Sequence, residues 1–469
     1  MGPRAGSLAK RGLRSTALPW FTARWAGNKY ALVVLAAYAA ILPWLAQLRP
    51  FWLDEVVQLI GSAEPRVKDV TRWVLYNPGG VPIGYWTQHL VIALFGLTRL
   101  SARAGPAIFS LLSGAIIAGF NRRPNPATAA ILLLTFFALP QQLRYAVEGR
   151  PYSEALVFCV ASLWCLWRLS SGTSHWLGVA YCTLVIMGLY TQPLSAYVHV
   201  GALCALAVSR QYRAVRTGSL ALGVAFLAFA PWYIHAQHAW HSGIVASGYH
   251  FALTPRLLLV VVRELAGGGY LSSLSLLLAA AFGWKHTDSQ LRRFLLGAVI
   301  SGVLLPLMSD AVFGYFYASR QLLFVLPALT LLSVPAGRSL GTDRWRWALI
   351  ATLVLASCAK DISYFRGPSE DWQAGAQMLL NATDRGACAI IPAPDSSERY
   401  RFFEPGLSGR FCTETDASGP ALVLTSPYSL QKSIDRVTDT LLARGYKRTG
   451  QSSVGRLRLM MFEPTKRLN

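Results

Sequence analysis

The sequence holds little charge, and least of all negative charge. Only 14% of its 469 residues are Asp, Glu, Lys or Arg, where a soluble globular chain carries about 25%. The shortfall is concentrated in long apolar runs separated by short basic loops, which excludes an ordinary soluble domain and matches the pattern of membrane helices. Metal-site signatures are missing as well. There is no HExxH, and none of the 7 cysteines has zinc-site spacing. No Ser/His or metal motif appears within the apolar runs, which argues against an intramembrane protease. Ionisable residues are sparse in the middle of the runs, which argues against a transporter or channel. Internal repeats and low-complexity segments are absent.

What is present is hydrophobic and basic. Hydrophobic residues make up 53% of the chain, and the mean hydropathy is +0.38. Lys and Arg number 44 against 22 Asp and Glu, a net charge of +22, and the isoelectric point is near 10.0. Such a balance also fits nucleic-acid binders, but the apolar runs argue against that partner. Basic loops facing the cytoplasm account for part of the excess, and contact with anionic lipid or an anionic substrate for the rest.

Eleven candidate spans follow from the apolar runs, at about 30–48, 102–120, 127–141, 154–169, 176–190, 194–209, 217–234, 269–284, 294–309, 321–337 and 346–361. Residues 1–29 carry Arg4, Lys10, Arg11, Arg14, Arg24 and Lys29 and no acid, as a basic cytoplasmic tail would. The run 30–48 is longer than a signal-peptide core and ends without a small-residue cleavage site. It reads as a retained span.

The segment Ile83–Phe95 decides the topology. If it crosses, Arg122, Arg123, Arg168, Arg210, Arg213 and Arg216 all face outward. If it lies on the membrane surface, they all face the cytoplasm, as the positive-inside rule requires. Gln88 and His89 among Tyr85, Trp86 and Leu90 also suit a surface helix. The first loop, 49–101, and the turn 143–153 then share the outer face. The domain order is a tail (1–29), a transmembrane domain (30–361) and a polar region (362–469). Strand-like runs at 388–392, 421–425 and 457–462 alternate with helix patterns at 372–380 and 430–444, which predicts a small extracytoplasmic α/β domain. Cys388 and Cys412 lie in that region and are free to pair if it is outside. Cys159, Cys165, Cys182, Cys204 and Cys358 fall in apolar runs and read as small hydrophobes.

Four stretches are candidates for chemistry. Asp54-Glu55 follows the first span directly; the plain alternative is an interfacial helix N-terminus, where acids suit the dipole. Adjacent helical residues diverge by about 100°, so one acid suits a general base and the other a structural partner. Arg144 to Glu154 packs Arg, Glu and Tyr into a turn where a bare connection would do; an exposed Glu148–Arg150 pair is its plain alternative. Tyr315 to Arg320 reads alone as an interfacial anchor, although Arg320 has the planar fork that suits phosphate. The stretch from Pro231 through His235, His238, His241 and His250 reads as an interfacial loop or lid rather than a metal site.

Taken in order, these residues resemble the GT-C glycosyltransferases, in particular the family 39 and family 83-like members. The carriers are Asp54-Glu55 after the first span, the segment from Arg144 to Tyr152 with its Glu148-Gly149-Arg150-Pro151-Tyr152, the Gly188-Leu189-Tyr190-Thr191 turn, and Asp371-Trp372 ahead of a helix. The sequence departs from the family at Tyr76 to Pro82, where many relatives have His-Pro-Pro, and at Gln321, where many have Tyr. The resemblance implies a polytopic α-helical GT-C fold with interfacial helices in the inner (plasma) membrane. It also implies a polyprenyl-phosphate-linked sugar as donor, a lipid, glycan or protein hydroxyl as acceptor, and surrounding membrane lipids. Asp54 and Glu55 would be the catalytic acids. Glu148, Arg150, Tyr152, Arg144, Tyr85, His89, Arg320 and Tyr317 would bind substrate, with Arg150 and Arg320 on phosphate and Glu148 orienting Arg150 or a sugar hydroxyl. No cofactor is indicated, although a divalent metal is compatible. A non-catalytic transporter, flippase or assembly partner is the alternative.

The topology is directly measurable. A reporter fused after Arg123 is expected in the cytoplasm; one found outside would put Asp54 and Arg150 on opposite faces.

Overall fold

The chain turns away from the bundle after its first helix and returns beside the same point. In the computed structural model, which describes residues 28–465 except 78, 121–125, 173, 248–254, 268, 314–318, 335–343 and 385, helix α1 (Lys29–Leu48) starts at an Asn28 cap. Its 20 residues reach about 30 Å, enough for a hydrocarbon core. Three short helices follow: α2 (Leu53–Ser62), α3 (Val67–Tyr76) and α4 (Pro82–Phe95). The longest of them, α4, has 14 residues, about 21 Å, and cannot cross alone. Helix α5 (Arg99–Gly119) then begins at a Thr98 cap. Arg103 in its first turns donates to the carbonyls of Ala46, Arg49 and Pro50. The start of α5 therefore lies against the end of α1, and residues 49–98 form a layer at one end of the bundle. Ile83–Phe95 belongs to that layer.

The bundle continues with α6 (Pro126–Phe137), α7 (Pro140–Ala146), α8 (Tyr152–Leu169), α9 (His175–Leu189), α10 (Tyr197–Val208) and α11 (Tyr212–Ser247), then α12 (Pro255–Glu264), α13 (Tyr270–Gly283), α14 (Ser289–Phe313), α15 (Leu326–Ser333) and α16 (Arg344–Arg366). Six helices among the described residues are long and apolar enough to cross a membrane: α1, α5, α8, α11, α14 and α16. The α6–α7 pair, bent by 74°, makes a seventh if it is one span. The other four predicted spans fall on α9, α10, α13 and α15, which are shorter. Helix α11 is longer than predicted. Residues 232–247 continue it because no glycine or proline breaks the chain between Pro231 and Gly243, so His235 and His238 stand on a helix rather than a loop; His250 lies outside the described residues.

Helices α10 and α14 approach through two glycines. A Cβ at Gly201 would lie 1.9 Å from the Gly297 carbonyl oxygen, and one at Gly297 would lie 2.2 Å from that of Gly201. The Gly201 N–H also donates to Ser301 Oγ at 3.1 Å. Small residues permit such contact, and apolar side chains cannot replace it.

The polar region carries α17 (Trp372–Thr383), β1 (Cys388–Ile390), α18 (Ser397–Phe403), β2 (Ala421–Thr425), α19 (Gln431–Ala443), β3 (Tyr446–Val454) and β4 (Leu457–Pro464). The sheet order is β1-β2-β4-β3. Strand β1 runs parallel to β2, and the other pairs are antiparallel. Strand β3 and helix α18 lack an apolar run of their own and are not apparent from the sequence; β3 is a largely exposed edge. Cys388 and Cys412 form a disulfide. This region sits on the layer of residues 49–98: Phe51, Val56 and Leu59 share one buried cluster with Trp372, Leu379 and Tyr400.

The glycine contact has a measurable cost. Gly297→Leu forces α10 and α14 apart and is expected to destabilise the protein by about 1–3 kcal/mol, seen as a lower melting temperature in detergent; unchanged melting would mean the helices repack freely.

Candidate functional site

Asp54 is the second residue of α2, and its carboxylate meets two guanidinium groups. Asp54 Oδ2 lies 2.9 Å from Arg320 Nη1 and 3.9 Å from Arg150 Nη2. Arg150 also donates from Nη1 to the Asp54 carbonyl at 3.2 Å. Arg150 comes from the turn between α7 and α8, and Arg320 from the 3-10 segment Ser319–Val325 ahead of α15. The Tyr152 ring lies under both guanidiniums, at 5.7 Å and 5.6 Å. The Asp54 side chain is still 28% exposed, so a substrate can reach it. Burial pushes its pKa up, but the charges of Arg150 and Arg320 outweigh burial and hold it below the usual carboxylate range. Asp54 is therefore an anion at neutral pH.

Glu55 points the other way. It is fully buried, and Arg103 grips it at two points, Nε to Oε1 at 2.8 Å and Nη2 to Oε2 at 2.7 Å. The Gly149 N–H donates to Oε1 at 2.5 Å, and Trp52 N–H to Oε2 at 3.2 Å. Gln88 Nε2 completes the joint by donating to the carbonyls of Gly149 and Ala102. A Cβ at Gly149 would come within 3.0 Å of Gln88 Nε2. Of the two adjacent acids, Glu55 is thus the one bound into the protein and Asp54 the one left partly exposed. Both Glu55 oxygens accept from protein donors.

Glu148 also differs from expectation. Its side chain does not turn to Arg150 but accepts the Tyr364 hydroxyl on Oε1 at 2.8 Å, while the buried Oε2 has no protein partner. Burial and the nearby Glu55 charge push its carboxyl up to about 7, against the pull of Arg144 and the Tyr364 bond. Arg144 and Arg49 both stack on the Tyr364 ring, at 4.5 Å and 4.0 Å. These groups line a polar cavity of about 210 Å³ together with Glu55 and Arg103. Leu45 and Phe365 at its wall also line an apolar groove of about 1000 Å³ between α1, α6 and α16.

The remaining candidates divide. Tyr85 is buried and accepts a bond from Asn77 at 2.6 Å, close enough to feel the charges of Arg150 and Asp54. His89 donates from Nδ1 to the Ser62 carbonyl at 2.9 Å, which makes it a brace between α4 and α2. Tyr317 lies outside the described residues. Among the described residues no cluster of three or more His, Cys, Asp or Glu is placed to hold a metal ion. Arg103, Gln88, Tyr364 and Glu370 are absent from the sequence candidates. Only Arg103 left a signal, as a cation inside an apolar run.

Residues 77–235 match the family described as dolichyl-phosphate-mannose-protein mannosyltransferase. That segment holds Glu148, Arg150 and Tyr152 but neither Asp54 nor Arg320. Over 164 residues, 34% of this chain, the sequence is 29% identical to an undecaprenyl phosphate-alpha-4-amino-4-deoxy-L-arabinose arabinosyl transferase of Edwardsiella ictaluri. The chain spans only 25% of the length of that curated relative. The fold is similar to the crystal structure of ArnT from Cupriavidus metallidurans bound to undecaprenyl phosphate, with a TM-score of 0.60 at 14% identity, over 95% of this chain and 98% of that one. The apo form of the same protein gives 0.59 at 12% identity over the same shares. Over about a third of its length the chain is thus similar in sequence to this mannosyltransferase family, and over nearly all of it the fold is similar to that of ArnT.

Burial of Glu148 predicts a pH effect. Its folded pKa is raised, so the proton favours the folded state. Stability is greatest below the ordinary carboxyl range and falls as pH rises through about 7, by up to about 3 kcal/mol. Glu148→Gln should flatten the dependence of melting temperature on pH between 5 and 8; an unchanged slope would place the titration elsewhere.

Proposed function

We propose that this protein transfers a sugar from a polyprenyl-phosphate donor to an acceptor hydroxyl at the extracytoplasmic membrane face, with inversion at the anomeric carbon. The observation that carries this reading is the accessible Asp54 carboxylate held between Arg320 and Arg150. One base beside two fixed cations suits a reaction that removes a proton from a hydroxyl and expels a phosphate. The acceptor oxygen loses its proton to Asp54 and attacks the anomeric carbon. The bond from that carbon to the phosphate oxygen breaks, and the lipid phosphate leaves with the electron pair. Arg150 and Arg320 offset the charge that grows on the phosphate.

The free site is poised for this exchange. While both arginines pair with Asp54 they depress its basicity. A donor phosphate competes for the same guanidiniums and leaves Asp54 a stronger base once donor is bound. The apolar groove between α1, α6 and α16 offers a bed for a long hydrocarbon chain. The outward orientation rests on charge: the opposite end of the bundle carries Arg210, Arg213, Arg216, Lys285, Arg292 and Arg293.

The test compares membrane glycolipids by mass spectrometry in cells holding the protein, holding Asp54→Asn, or lacking it. Asp54→Asn keeps the shape and removes the base. Transfer is expected to fall by about 100-fold or more, with normal protein in the membrane. A product formed equally by Asp54→Asn would replace this reading with that of a non-catalytic flippase or assembly partner.

A further inference from the structure

The helix that carries Asp54 lacks a cap of its own. Trp52 stands at the cap position of α2, and an indole N–H can donate but not accept. The first-turn N–H groups need acceptors nonetheless. Trp52 N–H is taken by Glu55 within the same turn. Leu53 N–H is taken at 3.0 Å by Oε2 of Glu370, 317 residues further along the chain. Glu370 is 4% exposed, and the polar region holds it from several directions. Tyr428 donates to Oε1 at 3.0 Å, Trp372 Nε1 lies 3.4 Å from Oε2, and Arg456 Nη1 lies 4.0 Å from Oε1. The backbone is fixed too. Glu370 bridges to Gly455, and Arg456 N–H donates to the Ser369 carbonyl at 3.0 Å. Gly455 has φ +55°, and a Cβ there would stand 2.0 Å from the Ser369 oxygen, so the β3–β4 turn clasps the segment that presents Glu370.

We infer that Glu370 is a positioning residue. It caps α2 from the C-terminal region and sets where Asp54 stands, so that region completes the reaction site instead of merely covering it. A carboxylate at the helix start also complements the positive end of the helix. The kinetic part of this inference rests on the proposed function; the structural part does not.

The test uses the full-length protein in lipid nanodiscs. Glu370→Ala should lower kcat about tenfold or more, because a small displacement of a reacting group costs rate steeply, while KM for a polyprenyl-phosphate sugar stays within about twofold. Glu370→Gln keeps an oxygen that can accept Leu53 N–H and should recover most of kcat. Hydrogen exchange read without substrate should speed up at residues 53–55 in Glu370→Ala and stay unchanged in α8. Unchanged exchange at 53–55, a KM effect in place of a kcat effect, or equal loss in Glu370→Gln would overturn the inference. Should Glu370→Ala fail to fold, Tyr428→Phe removes one tether of the carboxylate and should raise exchange at 53–55 to a smaller degree; no rise there counts against it. A wild type without transfer activity would defeat the proposed function, yet the exchange experiment would still decide the role of Glu370.

Discussion

The buried pair of Glu55 and Arg103 is the constraint on which the rest of the site depends. Two charges withdrawn from water must satisfy each other and their remaining bonding positions, or the fold loses several kcal/mol. Here they do so by recruiting backbone from four places. Arg103 takes the carbonyls at the end of α1 and in the segment that follows it. Glu55 takes the amides of Trp52 and Gly149. The first span, the start of α5, the head of α2 and the turn after α7 are thereby held at one point, and the layer of residues 49–98 is pinned to the bundle end from which it leaves. Everything said of Asp54 and Arg150 presupposes that joint.

Seen from it, the two adjacent acids divide their labour by helical geometry alone. One side chain turns into the protein and pays for its burial with a full set of bonds. Its neighbour turns outward and keeps a surface open to solvent. The same division recurs across the turn 147–151, where Glu148 faces inward to Tyr364 and Arg150 faces Asp54. Alternation of inward anchors and outward groups along two short segments is what assembles a polar site in a chain so poor in charge.

Much of this arrangement was legible in the sequence, and the rest was hidden for physical reasons. Apolar runs report a membrane directly, since composition is the signal. The surface position expected for α4 comes from where the basic loops lie. Asp54 and Arg150 could be named because polar residues are conspicuous beside spans. The partners of Glu55 and Glu148 could not, because Arg103 and Tyr364 lie 48 and 216 residues away from them and nothing local announces the pairing. The bond from His89 to the Ser62 carbonyl could not be named either, since nothing in the sequence pairs those two positions. The length of α11 was missed because histidine and glutamine look like loop residues when no breaker is sought. Strand β3 was missed because an exposed edge strand needs no hydrophobic pattern.

The contact between Leu53 and Glu370 has a consequence for how the protein is made. The amide emerges from the ribosome early, and its acceptor comes 317 residues later. For most of synthesis the helix bearing Asp54 is therefore unfinished. It can be completed only after Glu370 has been made and the region around it has folded against α2. A chain that stopped before Glu370 would carry Asp54, Arg150 and Arg320 and still lack the acceptor of the Leu53 amide, so the positioning inferred for Asp54 would wait on the folding of the region after α16.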